Sequence, residues 1–271
     1  MDVSHFEHCL TVDWRLLHVY IVFIIGTAGS GKSRLTAAFD NWLKVSKQDV
    51  ATVNLDPGVD VLPYSPEIDV RDYVDISELM EKYQLGPNGA LIMAADLVAD
   101  QIEKISKEIE ELQSDIVLVD TSGQMELFAF RASGPYIANE LTKEPKAIVY
   151  LYDAVFSVDP SNYISNLFLS TAVFNRFMLP QLHVLSKCDL LPNEEVDRIV
   201  DWSVRQDALA EAIEEKLEGT KRLLNRSMMQ AIYGLGLNFP LLPVSAKTND
   251  GIINFNAALE RVLAAGDQYT V

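Results

Sequence analysis

A doubly wound α/β fold with an all-parallel sheet is predicted by three features of this 271-residue chain. Short β-rich runs alternate with helix-patterned stretches, the order expected of βαβ units. Most of those runs are continuously apolar, as strands covered on both faces read. The first of them, VYIVFII, leads into the octapeptide GTAGSGKS at Gly26–Ser33 and then into a helix-like stretch. Strand, glycine-rich loop and helix in that order, with the spacing GxxxxGK[ST], form a P-loop signature.

Strands are predicted over 20–25, 50–55, 116–120, 147–153, 181–186 and 241–244. Between 56 and 120 the pattern leaves room for two helices, near 76–84 and 91–112. A crossover of that length suits parallel neighbours, since an antiparallel hairpin needs only a short turn. The stretch around 192–238 is rich in Glu, Ala, Leu and Met and supports two or more amphipathic helices, read as a helical insertion. Residues 19–271 are expected to be a single P-loop domain, preceded by an N-terminal extension at 1–18 of mixed composition.

Lys plus Arg number 22 against 39 Asp plus Glu, a net charge of −17. That balance disfavours a nucleic-acid or anionic-membrane partner, whose phosphates need basic surface. The apolar stretch 16–25 is too short to span a bilayer. Cys9 and Cys188 offer neither a disulfide framework nor metal-ligand spacing, as expected of a cytoplasmic protein.

In the octapeptide, Gly26, Gly29 and Gly31 let the backbone curl with its N–H groups inward. The helix that follows adds the positive end of its dipole, making an anion site. Thr27, Ala28, Gly29, Ser30, Gly31, Lys32, Ser33 and Arg34 are the candidate phosphate contacts. Lys32 would reach the β and γ phosphates, and Ser33 would offer its hydroxyl to Mg²⁺.

Further motifs stand at strand ends, the edge where open parallel sheets bind ligands. IVLVDTSGQ places Asp120 where a carboxylate can hold Mg²⁺ through water and Gly123 where an amide can sense a γ-phosphate. NLDP brings Asp56 to the same edge, for Mg²⁺ ligation or water positioning, although Asp-Pro also initiates turns. SKCD, with Lys187 and Asp189, and SAK, with Ser245, Ala246 and Lys247, suit a guanine pocket. The Asp189 carboxylate would accept from the base N1 and N2 donors, the Lys187 stem would lie against the ring, and the Ala246 amide would donate to O6. Adenine cannot supply that donor pattern, and a buried unpaired carboxylate is costly. Gly86, Pro87 and Asn88, taken alone, read as a turn.

GTAGSGKS, VNLDP, IDVRD at 68–72, LGPNGA, DTSGQMELF and SKCD, in this order, make the chain resemble the GPN-loop GTPases from about Tyr20 to its C-terminus. The resemblance implies a SIMIBI-class P-loop GTPase, the all-parallel branch related to the signal-recognition-particle and MinD classes, with the GPN loop in an insertion around 61–95. Thr27 stands where many MinD relatives carry an extra lysine. The resemblance further implies a homodimer, as in archaeal members, in which the GPN loop of one subunit reaches toward the phosphates of the other. Gly86, Pro87 and Asn88 would then serve catalysis in trans, with the Asn88 amide near the γ-phosphate. Ser186 replaces the Asn of the usual NKxD motif, a change that could loosen the base loop.

Together these features lead to the expectation of a Mg²⁺-dependent enzyme hydrolysing GTP to GDP and phosphate, acting as a switch or assembly factor on a protein client. Lys32 and the P-loop amides would offset phosphate charge; Ser33, Asp56 and Asp120 would hold the metal; Asp56 and Gln124 are candidates for orienting the attacking water. Two alternatives stay open: a nucleotide-gated assembly platform with negligible turnover, and an ATP-using P-loop phosphotransferase.

Overall fold

A computed structural model describes residues 19–237 and 239–266; the expected N-terminal extension lies outside the described residues. Seven strands are present among the described residues: β1 (Tyr20–Gly26), β2 (Val50–Asn54), β3 (Ile68–Asp69), β4 (Ile116–Asp120), β5 (Lys146–Asp153), β6 (Gln181–Ser186) and β7 (Leu241–Pro243). They form one sheet in the order β3-β2-β4-β1-β5-β6-β7, and every neighbouring pair is parallel. All six expected strands are there, with ends shifted by about a residue. The two-residue β3 is an addition: it lies at the sheet edge and has no apolar run to announce it.

Among the described residues, twelve α-helices cover the two faces. The first six are α1 (Lys32–Val45), α2 (Ile76–Tyr83), α3 (Pro87–Asp100), α4 (Ile102–Leu112), α5 (Met125–Ala129) and α6 (Ser133–Glu140). The others are α7 (Ala154–Ser157), α8 (Pro160–Phe177), α9 (Asn193–Val204), α10 (Gln206–Lys216), α11 (Gly219–Gly234) and α12 (Ile252–Gly266).

Alternation along β1 assigns the faces. Tyr20, Val22 and Ile24 pack with Leu35, Phe39 and Leu43 of α1 and with Phe255, Leu259 and Leu263 of α12. Ile21, Phe23 and Ile25 join the larger core built with the remaining helices. The stretch expected to be a helical insertion forms α9, α10 and α11, whose Ile199, Trp202, Leu209 and Ile213 enter that same larger core. Trp202 meets Tyr163 of α8 edge to face, with centroids 5.7 Å apart.

The single helix predicted over 91–112 is two. Gln101, at φ −92° and ψ 0°, caps α3 with its N–H turned back to Ala99 and Val98, and α4 starts again behind it. Apolar residues continue on both sides of the break, so the periodicity conceals it. Pro87 and Asn88 are also helical: Gly86 is the N-cap of α3, and Pro87 fills a first-turn position that needs no N–H donor. The expected turn is thus a helix start.

Phe39 is fully buried, 4.6 Å from the Phe255 ring in an edge-to-face pair, and joins α1 to α12 beneath the P-loop. Phe39→Ala is expected to cost about 3–5 kcal/mol of unfolding free energy, as large-to-small core changes of this kind do. Urea denaturation followed by circular dichroism would measure it.

Candidate nucleotide site

β1 ends at the centre of the sheet, between β4 and β5, where chain order reverses. This switch point is where an open parallel sheet holds its ligand. Gly29 and Gly31 take φ of +74° and +97°, left-handed backbone that side chains resist, and Gly31 is the N-cap of α1. A Cβ on Gly26 would lie 2.6 Å from Ser30 Oγ and 3.0 Å from Leu151 Cβ, so the loop folds tightly onto β5. Ala28 and Gly29 are exposed at the loop tip, while Thr27 is half-buried and its carbonyl accepts from Ser30 N–H at 3.1 Å. Arg34 is exposed on α1, one residue beyond Ser33.

Lys32 is buried and folded back on the backbone. Its Nζ donates to the carbonyls of Gly26 at 3.0 Å, Thr27 at 3.2 Å and Gly123 at 3.2 Å. Burial lowers its pKa, opposed by the nearby carboxylates of Asp120, Asp56 and Glu126.

β4 and β2 are adjacent, and their ends deliver Asp120 and Asp56 to the same edge. Asp56 Oδ2 accepts from Gly123 N–H at 2.6 Å and Oδ1 from Gly58 N–H at 3.0 Å. Asp120 is 1% exposed; its Oδ2 accepts from the Tyr64 hydroxyl at 3.0 Å, while Oδ1 is buried with no hydrogen-bond partner. An orphaned carboxylate oxygen beside Ser33 and the P-loop fits a divalent cation. Among the described residues no cluster of three or more His, Cys, Asp or Glu could cage a metal alone. Mg²⁺ bound through one or two carboxylates plus substrate phosphates requires no such cage.

The base-side motifs come together on the other flank. Asp189 Oδ1 accepts from Ser245 Oγ at 2.7 Å, and that hydroxyl in turn accepts from the backbone N–H of Lys247 and Thr248, both at 3.2 Å. Ala246 lies between them, half-buried. Lys187 adopts φ +61°, and its stem passes 3.8 Å from the position of a Cβ on Gly31. Ser186 corrects the expectation of a loosened base loop. Its buried hydroxyl contacts the Ser30 carbonyl at 2.7 Å and the Tyr152 carbonyl at 3.0 Å, fastening the loop to both the P-loop and β5. Cys188 only borders the pocket: its Sγ faces the Leu185 carbonyl at 3.1 Å, and burial pushes the thiol up to about 11.

Gln124 is exposed at the N-cap of α5. Gly86, Pro87 and Asn88 are exposed at the start of α3, which rests on the Asp56 turn: a Cβ on Gly58 would lie 2.4 Å from Leu91 Cδ2. Several residues of the site carry no sequence motif. Tyr64 sits on Asp120, and Asp153 pairs with Lys187 Nζ at 2.6 Å while capping α7 through the N–H groups of Val155 and Phe156. Asp153 ends an apolar strand, the same signal that singled out Asp56 and Asp120.

Residues 24–265 match a family profile described as "Conserved hypothetical ATP binding protein". The GPN-loop GTPase PAB0955 of Pyrococcus abyssi is 33% identical over 91% of this chain and 99% of its own length. The chain belongs to the GPN-loop GTPase family. The crystal structure of that archaeal GTPase in its apo form superposes with a TM-score of 0.79, covering 89% of this chain and 96% of the other. GPN-loop GTPase 1 of Saccharomyces cerevisiae is 28% identical over 92% of this chain, and that of Dictyostelium discoideum 33% identical over 69%. The matches span 67% and 48% of those longer relatives. No helix among the described residues is long and apolar enough to cross a membrane.

The Asp120 carboxyl of this GPN-loop GTPase is pushed up to about 6 by burial, against the Ser33 and Tyr64 hydroxyls and the Lys32 charge. The folded protein therefore holds a proton that the unfolded chain releases near 3.8, and stability declines as pH rises across that window, with the cost persisting above it. Asp120→Asn has no charge to bury. In metal- and nucleotide-free buffer it is expected to melt above the parent at neutral pH, the gap closing at about pH 4, below which both states hold the proton. Thermal unfolding across pH would check this.

Proposed function

We propose that the chain hydrolyses GTP to GDP and phosphate with Mg²⁺, as a cytoplasmic homodimer whose GPN loop acts across the interface. The observation that carries the guanine assignment is Asp189, anchored by Ser245 Oγ at 2.7 Å beside Lys187 and on the same sheet edge as the P-loop. A carboxylate fixed there matches the N1 and N2 donors of guanine and leaves adenine unmatched. The family profile's wording, ATP binding, favours the other base; the Asp189 geometry outweighs it because the profile's description names no residue.

Ser33 and Asp120 would hold Mg²⁺, with Asp56 reaching it through water; the ion would neutralise charge on the β and γ oxygens. The orphaned Asp120 Oδ1 supports that assignment. Lys32 turns from the Gly123 carbonyl to the phosphates, and the Gly123 N–H passes from Asp56 to a γ-phosphate oxygen. Asp56, released from that contact, orients the attacking water, with Gln124 as the second candidate. Asn88 of the partner subunit places its amide on the γ-phosphate, adding stabilisation where charge is carried in the transition state. Movement of these contacts on hydrolysis would reach a protein client through the dimer.

Displacement of a fluorescent GDP analogue tests the base. GTP is expected to compete at concentrations at least tenfold below ATP; equal displacement would overturn the guanine assignment in favour of an ATP-using enzyme. Asp189→Ala should lose roughly 10- to 100-fold in GTP affinity, the worth of about 1.5–3 kcal/mol for hydrogen bonds to a charged group. Asn88→Ala is expected to bind GTP as the parent does yet release phosphate at least tenfold more slowly in a single-turnover assay. Turnover at the parent rate would remove the role of Asn88 across the dimer, and no turnover in the parent would favour the assembly platform.

A further inference from the structure

The IDVRD segment has no part in the chemistry above, yet its side chains brace the stretch of chain that carries Asp56. β2 and β3 pair in register, with Asn54 opposite Asp69. Asn54 is fully buried and grips the backbone of Asp56 at both ends: its Oδ1 accepts from Asp56 N–H at 2.9 Å, and its Nδ2 donates to the Asp56 carbonyl at 3.2 Å. The same Nδ2 donates to Asp69 Oδ1 at 2.9 Å, which fixes which way the amide faces. Asp69 is in turn held by Arg71. Arg71 Nε lies 3.0 and 3.1 Å from the two carboxylate oxygens, and a terminal nitrogen is 2.6 Å from Oδ2. The other terminal nitrogen reaches across to the carbonyls of Val59 at 3.1 Å and Asp60 at 3.3 Å.

We propose that Asn54, Asp69 and Arg71 are positioning residues for Asp56, a hydrogen-bonded relay that sets where its carboxylate stands relative to the metal, the attacking water and Gly123. The relay grips the Asp56 loop from both sides. Asn54 holds it at the strand end, and Arg71 holds the carbonyls just beyond the Gly58 turn, so the backbone carrying the carboxylate is fixed between them. The guanidinium fork suits this task because it bonds one carboxylate and two carbonyls at once, in a geometry that lysine's point charge lacks. A plain β2–β3 stitch would need only the Asn54 to Asp69 contact. The reach of Arg71 to Val59 and Asp60 serves the loop itself.

This inference rests on the proposed role of Asp56, so the experiment includes Asp56→Ala. In the full chain, Arg71→Lys and Asp69→Asn are compared with the parent and with Asp56→Ala, and each is also combined with Asp56→Ala. Three quantities are read: kcat and KM for GTP, the Mg²⁺ concentration giving half-maximal rate, and affinity for a fluorescent GDP analogue in EDTA. Each relay variant is expected to lose at least fivefold in kcat and to need several-fold more Mg²⁺, with GDP affinity in EDTA within twofold of the parent. Combined with Asp56→Ala, neither should worsen the single Asp56→Ala defect by more than twofold, because both act through the same carboxylate. Parent-like kcat and Mg²⁺ dependence in both relay variants, with Asp56→Ala impaired, overturns the relay alone, as does a multiplied loss in the combinations. Parent-like turnover in Asp56→Ala overturns the role of Asp56 and the relay with it. Arg71→Lys keeps the charge at a side chain 35% exposed, and carries the test should Asp69→Asn fail to fold.

Discussion

One peptide segment ties the site together. Gly123 gives its N–H to Asp56 at 2.6 Å and its carbonyl to Lys32 at 3.2 Å. Lys32 follows β1, Asp56 follows β2 and Gly123 follows β4, three strands that are consecutive in the sheet. Parallel strands lie about 4.8 Å apart, so their C-terminal extensions meet within hydrogen-bond reach only because the order places β4 between the other two. The resulting contacts satisfy an ammonium and a carboxylate with the chain's own backbone. A phosphate offers both functions at once, accepting from the amide and attracting the ammonium. Its arrival would therefore exchange two contacts rather than add two, and such an exchange links phosphate binding to movement of the segment after β4.

The features legible in the sequence are those that local chemistry dictates. Strands buried on both faces must be apolar along their length, which made six of the seven strands visible. A P-loop must have glycine where φ is positive, and Gly29 and Gly31 are at those places. Functional aspartates at strand ends followed from topology, because a parallel sheet presents its ligand edge there. What escaped was set by distant neighbours. Tyr64 reaches Asp120 across 56 positions with no local pattern, and Asp153, although it ends an apolar strand, finds its partner Lys187 only 34 positions away.

At Ser186 the consensus motif says less than the local chemistry does. The comparison with NKxD made the serine a loss, since an amide offers both donors and acceptors and a hydroxyl offers less. In the fold, a short hydroxyl is sufficient because Ser30 and Tyr152 bring their carbonyls to within 2.7 and 3.0 Å of it. The break at Gln101 has a similar origin. Helical periodicity reports which face is buried, and Val98, Ile102 and Ile105 are all buried across the break, so no change of face marks the cap.

A chain with a net charge of −17 must still attract a polyanion, and the electrostatics of the site explain how. At physiological ionic strength charges separated by more than about 8 Å are largely screened, so the acidic surface acts weakly at the P-loop. What acts there is local: the inward amides, the N-terminus of α1 and Lys32, whose charge is already desolvated. Opposing them are Asp56 and Asp120, two carboxylates at the same strand edge, one of them 1% exposed. Such a pair beside a triphosphate would be repulsive without a cation between them. The proposed Mg²⁺ would thus offset the protein's own charges as well as the nucleotide's. Burial and the neighbouring Asp120 charge keep Tyr64 protonated, and its hydroxyl gives the buried Asp120 a hydrogen bond without placing another charge where the proposed Mg²⁺ would sit.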